Sequence, residues 1–352
     1  MKQTVIIDPT ARILYSAFYI KGLYDVFGRK NISFSAGCFR ELQRRGDPDA
    51  YDHYLAFVVV GPGGSTRRYI VDFRDHPTVK ERAYGWCDRY AKINFNERLT
   101  DRRYHGKMAY LPPSFGIRIW NSWETKYYYW SNLLLSGFSP LVSTKRYRED
   151  YLVQRRRPTL EDYAKNAGDK RNAADSRPYV FMIGTLWPHK NGIEGTTEER
   201  INVERKTFID ACKALRCNFE GGFFAHPGHP QYEEYKEVIF SNRYPVEQYL
   251  EKTKLSAVVY NTPAVGNCHG WKLGEYLAMG KAIISTPLSN RLPEKLIHGK
   301  NIHIVSNKDE IQEAVDLLLK NDGYRKSLEQ GAKAYYEKHV SPEKVIEHIV
   351  ET

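Results

Sequence analysis

Short runs of β-branched and aromatic residues alternate with longer segments of helical periodicity along the whole chain, and that alternation admits little besides an α/β fold. In the first half, the runs at 4–7, 54–60, 68–73, 90–95 and 107–111 read as strands, with a helical segment at 78–88. In the second half, strands are expected at 179–183, 219–225, 257–260 and 282–285. Helices are expected there at 203–215, 246–253, 271–279, 309–320 and 324–338. The pattern is sharpest in this half. Phe208, Ile209, Cys212 and Leu215 share one face, and Ile311, Ala314, Val315, Leu318 and Leu319 repeat at i, i+3, i+4, i+7 and i+8. Gly280 stands where a helix stop needs a glycine, and Ser306-Asn307-Lys308-Asp309 reads as a helix start.

A chain of 352 residues exceeds one typical domain, and its 41% hydrophobic content is enough for two cores. The stretch 136–174 differs in character, with Arg and Lys clusters, prolines and little apolar periodicity. A linker is expected within 150–176, dividing an N-terminal domain over 1–160 from a C-terminal domain over 177–352.

Composition excludes several classes. The chain has no apolar run of membrane-spanning length. The start reaches Asp8 and Pro9 too soon for a signal peptide, so a cytoplasmic protein is expected. The five cysteines are scattered without a CxxC pair, which points to reduced thiols rather than zinc or disulfides. The formal net charge of +11 gathers at 40–45, 67–68, 102–103, 145–148 and 155–157. Such a balance fits nucleic acid, an anionic membrane surface or phosphorylated substrates. No nucleic-acid-binding module accompanies it, so a basic nucleic-acid-binding protein is the alternative rather than the leading reading.

Chemistry concentrates around 258–275. A buried strand ends at Tyr260, the small-residue loop Asn261-Thr262-Pro263-Ala264-Val265-Gly266-Asn267-Cys268-His269 follows, and a helix begins near Gly270. Unpaired amides and the dipole at that helix start, with the charge of Lys272, suit a diphosphate. Glu275, one turn in, suits the vicinal hydroxyls of a ribose, or else balances the helix N-terminus.

The run Gly270-Trp271-Lys272-Leu273-Gly274-Glu275-Tyr276-Leu277-Ala278-Met279-Gly280-Lys281-Ala282-Ile283-Ile284-Ser285-Thr286-Pro287 resembles the donor-site signature of GT-B fold glycosyltransferases. It resembles the C-terminal donor domain of glycosyltransferase family 4 (group 1). Asn290-Arg291-Leu292-Pro293-Glu294-Lys295-Leu296-Ile297 and His298-Gly299-Lys300-Asn301 continue the likeness, which spans about residues 178–350 in order and spacing. In the first half only the strand–helix alternation and Pro112-Pro113-Ser114-Phe115-Gly116, similar to the family's turn before the linker, support it.

The resemblance implies two Rossmann-like domains facing across a cleft, the last helix packing back on the first domain. It also implies transfer of a sugar from a nucleoside-diphosphate donor to a hydroxyl acceptor. Glu275 would bind the donor ribose, and the amides around Gly270, Trp271 and Lys272 the diphosphate. Lys190 and Arg205 would neutralise the leaving phosphate, so neither a metal nor another cofactor is expected. Asn267 stands where retaining members carry the first of two glutamates, eight residues before Glu275. That departure leaves inversion at least as plausible as retention, and Asn267 or His269 could still bond the donor sugar. In His226-Pro227-Gly228-His229-Pro230, His226 would line the base pocket; two histidines without a third ligand suggest a rigid turn rather than a metal site.

An inverting enzyme needs a general base on the acceptor side. Asp72-Phe73-Arg74-Asp75-His76-Pro77 ends a strand in an acid–histidine cluster. There Asp75 or His76 would take the acceptor proton, with Asp72 the further acid and helix capping the competing role; Asp8 is the next choice. The aromatic stretch 120–130 is expected to pack in a core or interface, with sugar stacking the alternative. The acceptor would be a glycan or lipid-linked hydroxyl, in surface polysaccharide assembly at the inner face of an anionic membrane. A same-fold sugar-nucleotide epimerase is the remaining alternative, and Asn267 in place of an acid gives it no support.

Overall fold

The computed structural model describes residues 3–42, 54–139, 145–164, 177–188, 197–241, 243–264 and 267–351. The chain divides into two compact units: 1–160 with 290–294 and 338–352, and 161–289 with 295–337.

The first unit carries a six-stranded sheet in the order β2-β1-β3-β4-β5-β6. The strands are β1 (Thr4–Ile7), β2 (Ile32–Phe34), β3 (Leu55–Val60), β4 (Thr66–Asp72), β5 (Arg89–Lys92) and β6 (Met108–Tyr110). Within this sheet β3 runs antiparallel to both β1 and β4, whereas β1–β2, β4–β5 and β5–β6 pair parallel. The reason is local. Only Gly61-Pro62-Gly63-Gly64-Ser65 separates β3 from β4, with Gly63 and Gly64 at φ 78° and 83°. A parallel crossover needs a dozen or more residues, so this link can only turn the chain back.

Helix α1 (Ile13–Phe27) buries Ile13, Ala17, Phe18, Ile20 and Leu23, and α2 (Glu81–Trp86) occupies the middle of the segment expected to be helical. Helix α3 (Ser122–Leu135) starts at a capping box. Asn121 accepts from the Trp123 and Glu124 amides, and Glu124 reaches back to the Asn121 amide. The expected linker is partly helical, with α4 (Lys145–Arg155) and α5 (Leu160–Ala164). Arg12 binds Asp150 of α4 through two bonds of 2.6 and 2.7 Å, both side chains buried. Such a pair specifies where α4 sits, its attraction being set against the cost of desolvation.

The second unit is parallel throughout its named strands. They are β7 (Tyr179–Thr185), β8 (Asn218–Phe224), β9 (Val259–Asn261), β10 (Ile283–Ser285) and β11 (His303–Ile304). Helices α6 (Thr197–Ala214), α7 (Val246–Leu255), α8 (Trp271–Ala278), α9 (Lys308–Lys320) and α10 (Asp322–Tyr335) connect or follow them. Val180, Met182, Phe208, Phe223, Val258, Ile284, Val315 and Leu318 share one core. A Cβ at Gly221 would lie 1.9 Å from the Met182 carbonyl oxygen, so only glycine lets β8 lie this close to β7. Helix α11 (Pro342–Glu351) belongs to the first unit. Its Pro342 carbonyl would lie 2.1 Å from a Cβ at Gly22 of α1, so that glycine is needed for the approach.

Candidate functional site

Strand β7 pairs with β8 on one side. On the other, the Ala257 amide donates to the Tyr179 carbonyl at 2.8 Å, bringing the approach to β9 alongside β7. The connection therefore reverses direction between β7 and β9, and such a switch point opens a crevice at the carboxyl ends of the strands.

That crevice collects charge. Arg205, halfway along α6, donates from Nε to Thr262 Oγ1 just past β9 (3.0 Å) and from its terminal nitrogen to the Thr185 carbonyl ending β7 (3.4 Å). A Cβ at Gly184 would lie 3.4 Å from that nitrogen, so the glycine leaves room for the guanidinium. Lys272, in the first turn of α8, donates to the Ile183 carbonyl and stands 6.0 Å from the centre of the Tyr249 ring. Burial, reinforced by Arg205, brings its ammonium down to about 7 against the opposing pull of Glu275. Burial lowers Arg205 as well.

Glu275 is 5% exposed and accepts from Tyr163 at 3.3 Å and from Tyr249 at 3.0 Å. Burial raises the Tyr249 hydroxyl well above its ordinary value, so it stays a donor near neutrality. The first turn of α8 contains no acid, and Gly270 caps it without a side-chain bond. Glu275 thus sits past the helix start, held by two ring hydroxyls, and a carboxylate has lone pairs for more donors.

The described part of the loop before α8 carries two polar side chains of interest. Asn267 adopts φ 59°, a left-handed geometry that asparagine tolerates, and accepts from Arg200 at 3.0 Å. His269 is buried, and desolvation drops its pKa to about 4, so the ring is neutral at physiological pH. Glu204, adjacent to Arg205, has its carboxyl raised by burial. Asn202 holds the chain leaving β7 through the Trp187 amide and carbonyl, at 3.2 and 2.8 Å.

The structure brings Arg205, Lys272 and Glu275 into one site, with Gly270 and Trp271 at its helix start. Lys190 lies outside the described residues. His226 is exposed beyond β8, its ring 5.3 Å from Phe224. The run around it is a tight turn, the His229 amide donating to the His226 carbonyl at 2.8 Å. Among the described residues, no group of three His, Cys, Asp or Glu side chains is placed to hold a metal.

In the first unit, Asp72 is fully buried at the end of β4. It accepts from Tyr90 at 2.6 Å, Arg74 at 2.8 Å and Lys92 at 3.1 Å. Against the desolvation that opposes ionisation, these two cations and the bonds from Arg74 and Tyr90 hold it below the usual carboxylate range. It is an ion-paired structural acid, which corrects its expected place beside the proton-accepting pair. Asp75 and His76 are exposed in the turn that follows. Asp8 is buried and accepts from the Thr10 amide and hydroxyl at 2.8 and 2.7 Å.

Sequence reasoning missed Tyr163, Tyr249, Thr185 and Thr262. Tyr163 falls in the expected linker, and nothing near Tyr249 in the chain links it to a residue on α8. Thr185 ends β7 and Thr262 follows β9 at the switch point, a position only the topology reveals.

No family model matches the chain, and no curated protein matches it by sequence. Among solved structures it is similar to a glycosyltransferase from Rickettsia africae, at 11% identity over 80% of this chain and 69% of that one, TM-score 0.42. It is similar to S. aureus MnaA, solved with UDP, at 13% identity over 98% and 95% of the two chains, TM-score 0.42. A third is a Listeria monocytogenes protein proposed to be a UDP-N-acetylglucosamine 2-epimerase, at 16% identity over 77% of each chain, TM-score 0.35. With each score below 0.5, the residues of the site, and not these likenesses, carry the functional conclusion.

Proposed function

We propose that the chain is a glycosyltransferase whose nucleoside-diphosphate sugar binds at the carboxyl ends of β7 and β9. The observation that carries this reading is the packing of two cations, Arg205 and Lys272, into one crevice with Glu275. Arg205 and Lys272, both half-buried, bring positive charge into the crevice beside Glu275 and Glu204, and an anion entering it is attracted by both cations. The dipole at the α8 start points to the same chemistry, a diphosphate. Glu275, past the first turn and oriented by Tyr163 and Tyr249, is suited to the hydroxyls of the attached ribose.

On this reading Arg205 and Lys272 do the work a metal does elsewhere, stabilising the charge that develops on the departing nucleoside diphosphate. Neutral His269 and Asn267 line the loop where the sugar would lie. The acceptor proton passes to Asp75 or His76, Asp72 being committed to Arg74, Lys92 and Tyr90. The acceptor is a glycan or lipid-linked hydroxyl.

A thermal-shift panel of GDP-, UDP-, dTDP- and CMP-sugars, repeated on Glu275→Ala, tests the reading. A ligand at a hundredfold excess over its dissociation constant stabilises the folded state by about 2.7 kcal/mol. A shift with one nucleotide class that the substitution abolishes supports the site. No shift with any nucleotide sinks it, and an epimerised sugar formed without acceptor moves the chain to the epimerase alternative.

A further inference from the structure

Helix α3 packs one face into its unit and carries an apolar face on the opposite side. Its inner face packs Thr125, Asn132 and Leu133 into the first unit, Asn132 donating to Tyr151 at 2.9 Å. The opposite face carries Trp123, Tyr127, Trp130 and Leu134. At 100° per residue these four fall within an arc of about 60°. Such a face on a water-exposed helix ordinarily carries charge. Here the four are 80%, 66%, 60% and 61% exposed, so the expected packing of this aromatic stretch is not found on this side.

A further exposed aromatic follows the helix. Gly137 closes α3 at φ 63°, its amide bonding the Leu134 carbonyl, and Phe138 follows at φ 53° with its ring 60% exposed. A bulky residue rarely holds that backbone geometry, and here it does so while presenting its ring to solvent. Together the five side chains expose on the order of 600 Å² of apolar surface, at the upper end of what soluble monomers show.

We propose that this stripe docks the protein on an anionic bilayer surface. Two features select that occupant. The first is residue type: tryptophan and tyrosine are the side chains that settle at the headgroup level, where one part of the ring is apolar and the other wet. The second is charge. Residues 118–157 hold eight Lys and Arg against three Asp and Glu. Lys126 stands over the Trp123 ring at 5.2 Å, and exposed Lys145 and Arg148 lie on α4, which packs beside α3. A basic segment that carries an apolar strip matches negatively charged headgroups over acyl chains. No described helix is long and apolar enough to cross a membrane, so the contact is made from one side.

The test uses the full chain and vesicles of phosphatidylcholine, with or without one third phosphatidylglycerol, followed by sedimentation and tryptophan emission. The expected result is partition onto the anionic vesicles with a blue shift, weakened by added salt. Trp123→Ser with Trp130→Ser reduces partition on the order of tenfold or more, because interfacial binding scales with the apolar area inserted. Leu99→Ser, at a residue 67% exposed elsewhere, leaves it unchanged. Thermal unfolding checks the fold of each variant, and Tyr127→Ser replaces the double change if that fails to fold. Equal partition of wild type and variants, or none by wild type, overturns the proposal. So does self-association abolished by the same substitutions in a chain that ignores vesicles, which would make the stripe a contact between copies. The nucleotide site is not involved, so nucleotide binding survives in the Trp variant, and Glu275→Ala leaves partition intact.

Discussion

Arg205 donates its Nε to Thr262 Oγ1 at 3.0 Å, and through this bond a residue midway along α6 is held at the end of β9. The same guanidinium reaches the Thr185 carbonyl, so one side chain spans the two strands between which the connection reverses. Arg205→Ala is expected to weaken nucleoside-diphosphate binding by about 2 kcal/mol, within the range for a hydrogen bond to a charged group. Arg205→Lys keeps the charge but loses the fork, and recovers only part of the affinity. Isothermal titration of both variants checks this; unchanged affinity in Arg205→Ala removes the guanidinium from the site.

Gly184 controls the same side chain from below. The γ-carbons of Gly184→Val would push into the Arg205 terminal nitrogen, already 3.4 Å from where a Cβ would stand. Nucleotide affinity is expected to fall as in Arg205→Ala. The fold should survive, because the displaced group is the far end of a flexible side chain. Loss of the fold, or affinity equal to wild type, contradicts the assignment.

Lys272 predicts a pH dependence. With its pKa near 7, the ammonium that attracts the diphosphate is lost as pH rises, so binding weakens from pH 6 to pH 8. Bound anion raises that pKa, and binding near pH 8 takes up protons, measurable as a buffer-dependent heat. Stability moves the other way. The unfolded lysine titrates near 10.4, so between about 7 and 10 the unfolded chain holds the additional proton. Lys272 therefore contributes stability that rises with pH, by at most about 1.4 kcal/mol per unit. In Lys272→Met that part of the slope disappears.

Tyr249→Phe removes one hydroxyl from Glu275 and is expected to cost about 1 kcal/mol of stability. The double change with Tyr163→Phe costs more, and both variants bind nucleotide sugar less well than wild type. Chemical denaturation and titration read the two effects separately. Full nucleotide affinity in the double variant would mean that the orientation of Glu275 does not matter to the donor.

Asp72 and Asp75 stand three residues apart and should behave oppositely. Asp72→Asn leaves Arg74 and Lys92 without their buried counter-charge and is expected to destabilise by about 3–5 kcal/mol. Because its folded pKa is depressed, that stabilisation is present above the ordinary aspartate range and lost as pH falls through the folded value. Asp75→Asn, in an exposed turn, should leave the unfolding midpoint unchanged. If Asp75 takes the acceptor proton, kcat falls by a hundredfold or more, on the order expected of a general base. Unchanged kcat in both Asp75→Asn and His76→Ala moves the base elsewhere.

What the chain determines locally was legible in it. The strand ending at Asn261, the small-residue loop and the helix opening at Trp271 depend on neighbours in sequence, and their bounds fall within a residue or two of expectation. The capped helices α9 and α10 follow for the same reason. Other features needed the assembled units. The reversal at β3 was written in a five-residue glycine-rich link, but its effect shows only when β3 lies between β1 and β4. Tyr163 and Tyr249 meet Glu275 across separations of 112 and 26 residues, and no periodicity encodes such a meeting. Asp72 and Asp75 look alike in sequence; burial against Lys92, twenty residues on, made one of them structural. Hydrophobic type alone likewise could not say that Trp120 is buried while Trp123 and Trp130 face solvent. Secondary structure follows from local propensity and pattern, whereas burial and charge pairing depend on which distant segments the tertiary fold packs together.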